Sequence, residues 1–251
     1  MERASQIRSV QHFGVPVFSA ICEEFQRYRE SLKECVQQEM LKSPRGLVRS
    51  NRNGWHSEED LHRWEHDSVR WLVREIEGFV GACIAGSKEQ RENLDLVLLG
   101  SWANVSGFGA WNSPHNHLPC PWSGVYYVSV DNTIDAEEAG TSSGRIEFLN
   151  PLPLGVRYHR EASVRYTPAD GLMLLFPGYL VHWVQPNLSQ NQRISISFNL
   201  RVVPKLRSGS PPPNNLPLQL TVDGERGAAL SAGPVLESVA APSSAEQRGD
   251  G

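Results

Sequence analysis

The feature that most constrains this chain is a change of hydrophobic period near residue 94. Before it, apolar residues recur every three or four positions. Ile21, Phe25, Tyr28, Leu32, Val36 and Met40 form one set; Leu61, Trp64, Trp71, Leu72, Ile76, Phe79, Val80 and Cys83 form the next. That spacing lays each set along one helix face and predicts helices over about 19–42 and 57–87. Ser43-Pro44-Arg45-Gly46 ends the first, and Ser57 is placed to cap the second with Asp60 at the third position. Beyond residue 94 the helical pattern does not return. Apolar, β-prone runs at 94–105, 123–130, 144–149, 163–167, 171–177, 180–185 and 192–203 are separated by Gly, Pro, Asn and Ser. Helices followed by many short strands predict an α+β, mainly β domain, a β-sandwich or open barrel carrying helices on one side.

The ends of the chain read differently. Residues 1–11 are expected to be a flexible lead-in. His12 to Phe18 is a short extended piece, which Pro16 confines to an edge strand or a strand start. From Arg207 onward the composition turns to Ser, Gly, Pro and Ala without an aromatic residue, which predicts a disordered tail over 207–251. The folded domain is therefore expected over 12–206.

A net charge of -4 gives no reason to expect nucleic acid or an anionic membrane as partner. No apolar run approaches the roughly 18 residues that span a bilayer. The stretch Met1 to Val10 is polar, so no secretory signal is expected. The four cysteines, Cys22, Cys35, Cys83 and Cys120, form no CxxC pair. That suits a reducing compartment, and the cytoplasm is the expected location.

The chemistry concentrates in two stretches. Ser113-Pro114-His115-Asn116-His117 places two histidines at i,i+2 just before Ser123-Gly124-Val125-Tyr126-Tyr127-Val128. On extended backbone both rings point to one side, the geometry that chelates one ion. A third ligand must come from elsewhere, and His182, after the turn Phe176-Pro177-Gly178-Tyr179, is the best candidate. A mononuclear site with open positions suits non-haem iron. His62 and His66 also have a metal-capable i,i+4 spacing, but no third ligand follows and HExxH is absent, so they read as a solvated surface pair. Downstream, Arg193-Ile194-Ser195-Ile196-Ser197-Phe198-Asn199 alternates strictly. Arg193, Ser195 and Ser197 share one strand face, where Arg193 and Ser195 can grip one carboxylate, the arginine fork matching it in a bidentate way. Trp102, Asn104, Trp111 and Trp122 are candidates either for pocket walls or for ordinary barrel core.

Taken together, these residues resemble the iron(II)/2-oxoglutarate-dependent oxygenases, most closely the prolyl-hydroxylase-like branch and a poorly characterised group within it. The likeness rests on Gly54-Trp55-His56-Ser57, Trp102-Ala103-Asn104-Val105, Pro114-His115-Asn116-His117, Ser123 to Tyr127, Gly171 to Pro177, His182 and Arg193 to Asn199, and covers roughly 12–203. It implies a double-stranded β-helix (a jelly-roll, cupin-like core) with N-terminal supporting helices. It also implies Fe(II), 2-oxoglutarate as cosubstrate and O2, with a small-molecule or peptide substrate hydroxylated as succinate and CO2 are released. By the same resemblance His115 matches the first ligand and His182 the distal histidine. Arg193 and Ser195 match the pair that binds the far carboxylate of 2-oxoglutarate, and Tyr127 the tyrosine that hydrogen-bonds the same group. Gly144 to Phe148 matches the following hairpin strand, and Asn104 is assigned as a further cosubstrate contact.

One position departs from the family pattern. His117 stands where most of these oxygenases have Asp, and a neutral imidazole holds Fe²⁺ less strongly than a carboxylate. The histidine triad is the first reading. In the alternative, one histidine lies outside the ligand set and Asp131, Glu137 or Glu138 supplies the carboxylate. Two rival functions remain open: a cupin-like metal or small-molecule binding module without oxygenase activity, and an inactive interaction protein that holds no metal. A HNH nuclease is excluded, because no ββα-metal pattern or basic groove surrounds His115-Asn116-His117.

Overall fold

The computed structural model describes residues 8–12, 14–85, 88–130, 143–152 and 161–205. Its strands are β1 (Arg8–His12), β2 (Val15–Ile21), β3 (Asn51–Arg52), β4 (Trp55–His56), β5 (Leu94–Ser106), β6 (Trp111–His115), β7 (Trp122–Ser129), β8 (Ile146–Leu149), β9 (Ser163–Tyr166), β10 (Leu172–Pro177), β11 (His182–Val184) and β12 (Arg193–Pro204). Three helices, α1 (Phe25–Lys42), α2 (Asp67–Ile84) and α3 (Lys88–Glu92), complete the regular structure together with a 3-10 turn at Leu61–Arg63.

The strands form two sheets. The larger runs β1-β2-β10-β7-β12-β5-β4 and the smaller β3-β6-β11-β8-β9. Every strand pairing within them is antiparallel. The period-2 alternation of β7 and β12 explains how one sheet serves two cores. Tyr126 and Val128 of β7, with Ile194, Ile196 and Phe198 of β12, join the helices in one buried cluster. Val125 and Tyr127 of the same β7 face the other way and pack with Ile146, Phe148, Leu174 and Phe176 between the sheets. Leu32 and Val36 of α1, and Trp71, Leu72, Ile76 and Val80 of α2, complete the helical cluster. Tyr28 stacks on Trp71 at 4.4 Å across the two helices. The result is a jelly-roll β core with helices against the outer face of the larger sheet, which is the expected fold class.

Several local expectations change. The first helix begins at Phe25, not Ser19, because Phe18 to Ile21 pair with Leu172 to Leu175 of β10. Ile21 and Phe25 suit either period, and the ladder with β10 decides between them. Arg8 to Gln11, expected as part of a flexible lead-in, pair with β2 together with His12 as strand β1. That makes β2 interior to the sheet. Pro16 is tolerated as its second residue, before pairing with β10 starts at Phe18. The second helix starts at Asp67 rather than residue 57 and ends at Ile84. Trp64 is extended (ψ 131°) and breaks the backbone between the 3-10 turn and α2, yet Leu61 of that turn still reaches the core. Ser57 does not cap a helix. Its hydroxyl accepts from Ala103 N–H at 2.9 Å and donates to the Glu58 carbonyl at 2.6 Å, tying the segment to β5. The cap is His66, whose ring accepts from Ser68 N–H. His62 instead bonds Ser101 Oγ through Nδ1, so His62 and His66 do not act as a pair. The tail expected over 207–251 lies outside the described residues, as do Asp131, Glu137 and Glu138.

Candidate active site

β6 and β11 are neighbours in the smaller sheet, and their register sets His115 directly opposite His182. Residues 111–115 were not among the strand candidates, and the sequence left the histidine pair on a strand or an extended loop; the structure makes Trp111–His115 a strand. His117 lies just past the end of β6. Its N–H donates to the Gly178 carbonyl at 2.7 Å, and Gly178 N–H donates to the Pro121 carbonyl at 2.9 Å. Gly178 packs so closely that a Cβ there would overlap the Cys120 carbonyl, so only glycine fits the turn that fixes His117. The ring centroids of His115 and His182 are 4.4 Å apart, and His117 is 5.1 Å from each. One nitrogen from every ring falls within 4.8 Å of the others.

The hydrogen bonds determine which nitrogens are free. His115 Nδ1 meets the Ser113 carbonyl at 2.7 Å, and His182 Nδ1 meets the Leu180 carbonyl at 2.9 Å. A carbonyl only accepts, so both Nδ1 atoms carry the proton and both Nε2 atoms keep a lone pair. This is the arrangement in which a backbone carbonyl orients a metal-binding imidazole. Burial keeps all three rings neutral. It lowers His182 well below its ordinary value, with His115 and His117 adding to the effect. It brings His117 down to about 4, again with His115 contributing, and it lowers His115 too. Three neutral imidazoles with convergent lone pairs fit a divalent transition metal. Among the described residues, this is the only group of three or more His, Cys, Asp or Glu side chains close enough to share one ion.

The facing sheet supplies the other wall. Asn104 of β5, Ser195 of β12 and Tyr127 of β7 lie side by side, because Ser195 is the register partner of both Asn104 and Tyr127. Arg193 sits two residues along the same face of β12. It is 4% exposed and donates to the Gly144 carbonyl at 2.8 Å and to Ser106 Oγ at 3.1 Å, while its Nε has no partner. Among the described residues no carboxylate lies within ion-pair distance of it. Burial lowers its pKa, and Tyr127 acts in the opposite sense. Tyr127 is itself pushed up to about 12 by burial. The Asn104 amide oxygen is also buried without a partner. Two histidines of the smaller sheet, His117 just beyond it, and a row of polar groups on the larger sheet ending in an arginine without a counter-ion among the described residues enclose a pocket of about 300 Å3.

Residues 100–199 match a family model described as "Putative 2OG-Fe(II) oxygenase". Over these residues the chain resembles the 2OG-Fe(II) oxygenases. No curated protein matches the chain in sequence. Solved structures match it in fold. A Pseudomonas putida prolyl-4-hydroxylase is 15% identical, covers 74% of this chain and 92% of its own, and superposes with a TM-score of 0.52. A Trichoplax adhaerens prolyl hydroxylase, solved with a hypoxia inducible factor peptide fragment, is 14% identical with coverage of 72% and 82% and a TM-score of 0.51. The non-heme alpha ketoglutarate dependent carbocyclase SnoK from nogalamycin biosynthesis is 12% identical with coverage of 73% and 78% and a TM-score of 0.51. The matched family uses Fe(II), 2-oxoglutarate and O2, and the three histidines are compatible with such an iron site.

Of the tryptophans singled out in the sequence, Trp102 lines the pocket. Trp122 packs against Phe18 instead, with ring centroids 6.2 Å apart. Arg49, Ser50, His56, Glu59 and Asn199 also line the pocket and were not singled out. Asn199 was reachable, since it continues the face of Arg193, Ser195 and Ser197. Arg49, Ser50 and Glu59 carry no local signal, because loops bring them to the mouth.

Proposed function

We propose that this protein is an oxygenase that hydroxylates a small-molecule or peptide substrate, holding Fe(II) through His115, His117 and His182 and 2-oxoglutarate through Arg193, Ser195, Tyr127 and Asn104. The observation that carries the reading is Arg193. A buried cation without a counter-ion costs several kcal/mol, a cost that a bound carboxylate offsets. Its guanidinium keeps one N–H free, its neighbours Tyr127 and Ser195 bear hydroxyls, and the histidines stand on the opposite wall of the same pocket.

Bound iron, with 2-oxoglutarate and O2, supplies the oxidising power for C–H hydroxylation as succinate and CO2 leave. The chain contributes position and dryness. Arg193 anchors one end of the diacid and thereby sets where its other end meets the histidines. The Ser113 and Leu180 carbonyls hold the His115 and His182 rings with Nε2 unprotonated. Phe148 and Phe176, both buried, pack against His182 at 5.7 and 4.9 Å and keep water from that side. Three neutral imidazoles leave the charge of a divalent ion uncompensated, so a dianionic cosubstrate would supply the negative charge that a neutral ligand set lacks.

Protein purified without oxygen and analysed for metals, then assayed for succinate from 2-oxoglutarate, tests this reading. Iron retained together with succinate release supports it. Absence of metal at the triad overturns it, and metal and 2-oxoglutarate binding without any turnover leaves a binding module. We also place the protein in the cytoplasm. All four cysteines are free, as in compartments that keep thiols reduced, and no helix among the described residues is long and apolar enough to cross a membrane.

A further inference from the structure

The pocket is longer than the cosubstrate. Arg193, Ser195, Ser197 and Asn199 occupy alternate positions of β12 and all line it. Six residues of extended strand span roughly 20 Å. A five-carbon diacid, with four C–C bonds of about 1.5 Å, reaches at most about 6 Å from its anchor at Arg193. The Asn199 end is therefore left for a second ligand.

The chemistry of that end is polar and uncharged. Asn199 Oδ1 is buried without a hydrogen-bond partner. Its register partner on β7 is Ser123, which also lines the pocket. Trp102 supplies an aromatic wall and stacks on His56 at 5.5 Å. His56 Nδ1 gives its proton to the Ser57 carbonyl at 2.6 Å, which leaves a lone pair on Nε2. The two charged side chains at this end, Arg49 and Glu59, neutralise each other at 3.1 Å. Whichever way the Asn199 amide is turned, its unpaired end accepts from or donates to a neutral polar group. A buried charge opposite it would lack the compensation that Arg193 provides at the other end.

We propose that the Asn199 end of the pocket is the prime-substrate subsite and takes an uncharged ligand bearing amide or hydroxyl groups. Carboxylates, phosphates and amines are disfavoured there. The proposal rests on Arg193 anchoring 2-oxoglutarate, so cosubstrate binding is measured in the same samples.

The experiment uses protein loaded with Mn(II) and saturating 2-oxoglutarate, and reads the paramagnetic broadening of probe protons by NMR. N-acetylglycinamide and methyl glucoside are the neutral probes and separate amide from hydroxyl recognition. Acetate, methyl phosphate, methylammonium and glycine are the charged ones. At least one neutral probe is expected to be broadened most. Asn199→Leu is expected to weaken it fivefold or more while 2-oxoglutarate affinity stays within twofold. Asn199→Asp, which keeps the size of the side chain, is expected to turn the preference toward methylammonium. Three outcomes overturn the proposal: a charged probe, including zwitterionic glycine at Arg49 and Glu59, binding the wild type best; neutral probes indifferent to Asn199→Leu; or no change of preference in Asn199→Asp. Failure of 2-oxoglutarate to bind the wild type defeats the underlying reading instead, and this proposal with it.

Discussion

His115 and His182 are register partners across β6 and β11, with their rings 4.4 Å apart and each Nδ1 proton given to a carbonyl two residues before it. Both rings are thus oriented by backbone carbonyls, and the lone pairs on their Nε2 atoms are fixed before any ion arrives, that of His115 within 3.4 Å of the Ser50 hydroxyl. Preorganisation of this kind raises metal affinity by avoiding the ordering of side chains on binding.

Loss of either ring should therefore be felt first in metal binding. His182→Ala is expected to weaken Mn(II) binding roughly 100-fold or more, beyond the effect of removing a supporting group alone, and to abolish succinate formation. Metal titration by calorimetry and a succinate assay check both. Because bound ligand stabilises the native state, added Mn(II) should raise the melting temperature of the wild type and leave that of His182→Ala unchanged.

In the proposed triad His117 makes the protein's own ligand set neutral, which predicts that metal affinity is tied to the cosubstrate. Saturating 2-oxoglutarate is expected to tighten Mn(II) binding roughly tenfold or more, a coupling of about 1.4 kcal/mol, and Mn(II) to tighten 2-oxoglutarate by the same factor. His117→Asp restores a carboxylate. It should bind Mn(II) more tightly than the wild type when 2-oxoglutarate is absent. Equal coupling in both proteins, read from paired titrations, would argue against the charge account.

Arg193→Ala is expected to raise the dissociation constant for 2-oxoglutarate roughly 100-fold, about 3 kcal/mol, the scale of removing one partner of a buried charged pair. Arg193→Lys should recover little, because an ammonium cannot reproduce the planar fork. Metal affinity measured without cosubstrate should be unchanged in both, which separates anchoring from collapse of the site.

Gly178→Ala tests the turn that fixes His117. A methyl there would collide with the Cys120 carbonyl, and backbone has to move to admit it. Overpacking of this kind costs about 1–3 kcal/mol. Metal affinity is expected to fall along with the melting temperature.

Glu147 sets an acid limit on stability. Burial alone would raise its carboxyl, but hydrogen bonds from Arg165, Ser163 and Gln185, with the charge of Arg165, hold it below the usual range. A lowered folded value means that this contribution is fully present above the unfolded value of about 4.3 and is lost as pH falls through the folded one. Glu147→Gln should cost about 1 kcal/mol at neutral pH and flatten the decline of melting temperature below about pH 4.3. An unchanged acid limb in the variant would assign that decline to other groups.

Much of the β core was legible in the sequence because strand alternation is local. Arg193-Ile194-Ser195-Ile196-Ser197-Phe198 states by itself which residues face the helices and which face the pocket, and the structure keeps that division. The helical stripes were legible for the same reason, although their starts were not. Leu61 and Trp64 continue the period of α2 but belong to a separate 3-10 turn, because Trp64 turns extended and His66 provides the cap.

By itself, then, the sequence determined a helical segment ahead of a mainly β domain, the strand faces, and which residue types are available for chemistry. Tertiary structure alone decided that His182 stands opposite His115, that Tyr127, Ser195 and Asn104 form one row, that Pro16 lies in an interior strand, and that Arg49 and Glu59 neutralise each other at the pocket mouth. The reason is physical. Period and propensity act over a few residues, whereas register and sheet order come from hydrogen bonding and burial between segments that lie tens of residues apart in the chain.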